Sequence, residues 1–191
     1  LKAASYAVSN GTINAVIADG PGGPSAMTKT TSGHLWINTT NTYTGGTNLV
    51  DGRIYAGADG TLGTGILTLT GGRLMSNGAT DRTFTNDVVI AGNVGLGNTY
   101  DPWGNPQAYT GAIIFTGGTD LNGSIRTIAN DSNVGFSGTV SNGGIYKDGK
   151  LTLTLSGQNT YTLGTTLNAG KIRLGSSSTQ NGGGTVISGP V

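Results

Sequence analysis

The chain has no cysteine, no glutamate and one histidine, with only 6 % aromatic and 10 % charged residues among 191. Each scarcity removes a class of explanation. Without cysteine there is no disulfide framework and no thiol chemistry. With His34 alone, a multi-histidine metal site is excluded, and no metal or cofactor is expected. A formal net charge of +1 leaves neither the basic patch of a nucleic-acid binder nor the basic amphipathic helix of a membrane-surface binder. No apolar run approaches the ~20 residues of a membrane helix, so no nucleic-acid partner and no membrane insertion are expected of these residues.

What is present is glycine, 36 residues of it, with Thr, Asn and Ser at most polar positions and 35 % hydrophobic residues. The apolar residues alternate with polar ones in short runs set off by Gly-Gly, Asn-Gly and Asp-Gly turn signals, which predicts an all-β protein. Strands are expected over 12–18, 34–38, 47–50, 53–56, 66–70, 73–75, 87–91, 94–96, 112–116, 124–128, 134–136, 151–155, 165–167, 171–174 and 185–188.

One stretch occurs twice. Residues 41–57 read NTYTGGTNLVDGRIYAG and residues 159–175 read NTYTLGTTLNAGKIRLG, an ungapped echo at an offset of 159 − 41 = 118. It carries Asn41, Tyr43, Gly46, Thr47 and Gly52 onto Asn159, Tyr161, Gly164, Thr165 and Gly170, and upstream Leu35 and Ile37 onto Leu153 and Leu155. Repeated strand-turn units are the mark of a solenoid. An antiparallel sandwich would use longer strands with less interior glycine. At roughly 20 to 25 residues a coil the chain makes about eight or nine coils of one solenoid, residues 1–191, expected to be part of a longer array; at ~4.8 Å per rung the rod is about 40 Å long. The inward set is expected to be Leu35, Ile37, Leu49, Ile54, Leu67, Leu69, Leu74, Ile113, Phe115, Leu151, Leu153, Leu155, Leu167, Ile172 and Leu174.

Residues 153–175, LTLSGQNTYTLGTTLNAGKIRLG, together with the copy at 35–57, resemble the autotransporter-associated β-strand repeat, also called the passenger-associated transport repeat. The leads at 10–29 and 136–150 are similar to the segment that precedes that motif, so the resemblance covers somewhat more than half of the chain. It implies a right-handed parallel β-helix in a large secreted bacterial surface protein, often the passenger of a type V secretion system. Leu163 stands where the family pattern usually has Gly, and the outer-membrane barrel of an autotransporter is not in these residues.

For chemistry, nine scattered aspartates, mostly beside Gly or Asn, read as Asx-turn residues rather than a catalytic pair. Tyr43 and Tyr161 are expected to pack over their Gly turns with hydroxyls bonded to backbone. His34 and Trp36, aligned with the outward Thr152 and Thr154, are expected on the surface. Residues 97–109 form an irregular insertion whose Tyr100, Trp103 and Tyr109, with Trp36, are the candidate ligand-binding residues. No catalytic residue is assigned. The expected function is a structural extracellular stalk, spacer or fibre body. The alternatives are an adhesin-type module binding surface glycans or host proteins through 97–109, and a carbohydrate-active enzyme. Both ends are strand-like, which predicts further solenoid there, as covalent continuation or as identical subunits stacked head to tail.

Overall fold

The computed structural model describes residues 1–98 and 109–175. Its described residues hold twenty strands and no helix, and the strands pair in parallel as a β-solenoid of about eight turns. Around each turn the chain visits three faces in order. The first face stacks Ser5–Val8, Ala26–Lys29, Thr47–Leu49, Leu67–Leu69, Val88–Ile90 and the starts of Thr119–Asn130 and Val140–Asp148. On the second lie Gly11–Ile13, His34–Ile37, Arg53–Ala56, Arg73–Ser76, Val94–Leu96, the ends of the two long strands, and Thr165–Leu167. The third carries Arg82–Phe84, Ile113–Phe115, Val134–Phe136, Thr152–Leu155 and Lys171–Leu174. Before Arg82 the third face is built of short segments joined by Thr42 N–H to Ile17 O and Thr64 N–H to Tyr43 O.

Parity follows the alternation. Leu35, Ile37, Leu49, Ile54, Leu67, Leu69, Leu74, Ile113, Phe115, Leu153 and Leu155 are all buried in one continuous core. Within it Phe84, Phe115 and Phe136 occupy one register, with ring centroids 5.8 and 5.2 Å apart. Four expected inward residues differ. Leu151 is 38 % exposed because it sits in the turn before Thr152–Leu155 rather than in the strand. Leu174 is 46 % exposed, and Leu167 and Ile172 are only partly buried; all three belong to the last described coil.

The sequence reading missed Ala26–Lys29, Arg82–Phe84 and Val140–Asp148, and it cut Thr119–Asn130 short. The two long strands pass from the first face to the second through Asn122-Gly123 and Asn142-Gly143, where Asn122 and Asn142 take φ of 52° and 56°. Asn tolerates that left-handed conformation, so a turn signature here bends a strand instead of ending it. The 185–188 strand expected from sequence lies outside the described residues.

Candidate functional site

The repeated motif makes similar contacts in both copies, with differences at the asparagine. Asn41 lies beneath the core edge and accepts the Ile17 N–H at 2.8 Å; Asn159 accepts the Val140 N–H at 3.0 Å. Asn41 Nδ2 reaches the next coil at Thr61 O, 2.7 Å, while Asn159 Nδ2 has no partner among the described residues. The residue 118 positions on from Thr61 is Thr179, outside the described residues.

Both tyrosines are buried, and their hydroxyls meet threonine: Tyr43 Oη to Thr47 Oγ1 at 2.5 Å, Tyr161 Oη to Thr165 Oγ1 at 2.6 Å. At Tyr43 this corrects the expected backbone bond. Thr47 Oγ1 donates to Leu62 O at 2.9 Å, which leaves the phenol of Tyr43 to donate to Thr47. The threonine thus relays the phenol to the backbone of the coil above. Burial pushes the Tyr43 pKa well above its ordinary value, the Thr47 bond opposing it.

Two lysines that sequence reasoning passed over complete the motif. Lys29 and Lys147 are separated by the same 118 residues, and both are fully buried. Lys29 Nζ donates to Thr31 O, to Thr31 Oγ1 at 3.2 Å and to Asp51 O at 3.4 Å. Lys147 Nζ donates to Asp148 O, Gly149 O and Ala169 O at 2.5, 2.8 and 2.9 Å. Over each ammonium runs a glycine of the next coil, Gly52 at φ 79° and Gly170 at φ 76°, and a Cβ there would stand 2.5 or 2.9 Å from Nζ. Burial lowers the pKa of both lysines; nearby aspartates oppose it. The signal was available, because Lys recurs at the echo's offset, but a lysine at an inward parity position reads as a break in the strand.

The two copies do not sit on the same side of the rod. From Ala26–Lys29 the first face is revisited at Thr47, Leu67, Val88, Thr119 and Val140, five turns, yet the equivalent of Ala26–Lys29 is the second-face part of Val140–Asp148. Accordingly Thr47–Leu49 lies on the first face and its echo Thr165–Leu167 on the second, while Arg53–Ala56 lies on the second and Lys171–Leu174 on the third. The offset is five turns and one face.

The outer surface of the second face holds an aromatic stack. Trp36 and Tyr55 are register partners with rings 4.7 Å apart and 12° from parallel. His34 stacks on Tyr55 at 5.7 Å, and its Nδ1 lies 3.1 Å from Tyr55 Oη. His34 and Trp36 are therefore half-buried and engaged, not free surface residues as the sequence implied. Burial lowers the His34 pKa, helped by Arg53 and Lys29. Tyr55 and Met75 point outward by parity yet are fully buried, and Tyr109 packs edge-on against Tyr55 at 4.8 Å. Of the candidate ligand-binding residues, Tyr109 is thus buried against the outer face at 9 % exposure, and Tyr100 and Trp103 lie outside the described residues.

All eight described aspartates are engaged by neighbouring donors. Asp51 and Asp120 take the expected local turn bonds, from Gly52 N–H and Asn122 N–H, each at 2.6 Å. Others reach a different coil: Asp19 accepts from Thr44 N–H at 2.9 Å, Asp59 from Thr83 at 3.0 Å, Asp81 from Ala112 at 2.8 Å and Asp87 from Gly118 at 2.9 Å. Asp131 pairs with Arg73 at 2.9 Å, and Asp148 accepts from Asn168 Nδ2 at 3.1 Å. A corner N–H directed along the rod has no strand partner, and a carboxylate from the coil below supplies one. Backbone donors hold the carboxyls of Asp19 and Asp148 below their ordinary pKa. Comparison of the chain with family models, with curated proteins and with solved structures finds no match.

Proposed function

We propose that this chain is a structural segment, the stalk, spacer or fibre body of a secreted bacterial surface protein of autotransporter-passenger type. The observation that carries this reading is the use made of its polar side chains. Aspartates, asparagines and buried lysines, the groups from which a catalytic site would be assembled, are bonded across from one coil to the next. Such bonds resist sliding and bending between coils, which is what a rod holding other parts away from a cell requires. Antibody against residues 1–98 should label intact producing cells, and external protease should remove the epitope. Labelling only after permeabilisation would refute the extracellular assignment.

A second reading, a module binding surface glycans or host proteins, is favoured by one feature. Trp36 stands half-buried on the outer surface with one ring face stacked on Tyr55 of the next coil, a positioned aromatic of the kind that stacks on a sugar. Trp36→Ala, alone and combined with alanine at Tyr100, Trp103 and Tyr109, should abolish binding on a glycan array if this reading holds. A parent chain that binds no glycan or host-cell surface removes it.

A further inference from the structure

We propose that the ring of oxygens around each buried lysine is a built cation site selective for a primary ammonium, filled in the native chain by Lys29 and Lys147 themselves. The one ion pair among the described residues is Arg73–Asp131, so neither lysine is neutralised by a direct carboxylate contact. Each ammonium instead directs its N–H groups at three oxygens, the number it can donate to. Two of the three are equivalent in the copies, since Thr31 O and Asp51 O map at the 118-residue offset onto Gly149 O and Ala169 O.

A fully buried charge is tolerated only when such dipoles replace its hydration. The left-handed glycine supplies the remaining wall. At Gly52 and Gly170 a side chain would collide with Nζ and with the coordinating turn, so the site exists because no Cβ is there. The two sites occur on different sides of the rod with the same donor and two equivalent acceptors out of three, which ties them to the local sequence and not to a place on the solenoid. Each site also joins two coils, because the lysine belongs to one and the carbonyl of Asp51 or Ala169 to the next.

Lys147→Ala removes the equivalent of n-propylammonium and leaves the oxygens in place. Its melting temperature should fall by several degrees. Tens of millimolar n-propylammonium should restore at least half of the loss, whereas n-propyltrimethylammonium, which has no N–H to donate, and sodium chloride at equal ionic strength should restore none. Lys147→Met, which fills the channel, should not respond to any amine. Equal rescue by the trimethylated ion, or no rescue by n-propylammonium, overturns the proposal. Should Lys147→Ala not fold, the native chain provides the test through its side-chain ammonium resonances in nitrogen-15 spectra. Of its five lysines, two should give signals protected from exchange with water at neutral pH. Fast exchange at all five overturns the proposal equally.

Discussion

Leu153 and Thr154 are neighbours in one strand, the first fully buried and the second half-exposed on the outer surface. Leu153 lies between Val134 below and Ile172 above, so its truncation opens a cavity that neither neighbouring coil can close. Leu153→Ala should cost about 2–5 kcal/mol. Thr154→Ala should stay within about 0.5 kcal/mol. Denaturant midpoints of the two variants check the difference, and equal losses would refute the parity. Tyr43 predicts a pH effect. Its phenol ionises at an ordinary value of 10.0 when unfolded and higher when folded, so its stabilisation is complete below that pH and declines as pH rises beyond it. Chemical-denaturation stability should therefore drop from pH 9.5 to about pH 11, and Tyr43→Phe should flatten the drop. An unchanged slope in that variant would contradict the burial assigned to the phenol.

At the scale of elements, glycine has two meanings in this chain. Gly170 takes φ 76°, and an added Cβ would stand 2.5 Å from Gly149 O, so Gly170→Ala meets both strain and collision. The left-handed conformation alone should cost about 1–2 kcal/mol. Gly135 has no such φ, and a Cβ there would touch only the Ile114 side chain at 3.8 and 3.9 Å. Gly135→Ala should be neutral or stabilising by up to about 1 kcal/mol through the unfolded chain. Thermal melts of the pair test this, and a Gly135→Ala loss matching that of Gly170→Ala would contradict it. The short strands and the solenoid were legible because alternation and turn residues report burial parity directly. What was not legible came from side chains acting against type. Lys29 and Lys147 occupy inward positions, Tyr55 and Met75 are buried on the outer face, and Asn142-Gly143, a turn signature, lies within a strand and bends it. Each depends on a partner in another coil, which one strand's pattern does not contain.

At the scale of the whole molecule, the central claim is that the 118-residue echo spans five turns and one face, so that a single locally encoded motif builds the rod from different sides. A unit locked by its own lysine, tyrosine and glycine needs only a coil beneath it, not a particular face. That is how a long rod can be assembled from imperfect copies of one sequence. Its charge is also nearly balanced, at +1, and one ion pair joins described residues, so salt should change its stability little. The absence of native cysteine makes the central claim directly measurable. Tyr146 and Thr166 are in-register partners on the second face, whereas an echo displaced by whole turns would set Thr166 on the first face, in the row of Asn48 and Ser141. Paired strands bring α-carbons to about 4.8 Å, within reach of a disulfide. Under mild oxidation the Tyr146→Cys/Thr166→Cys chain should form an intramolecular disulfide and the Ser141→Cys/Thr166→Cys chain should not; the reverse result would contradict the account.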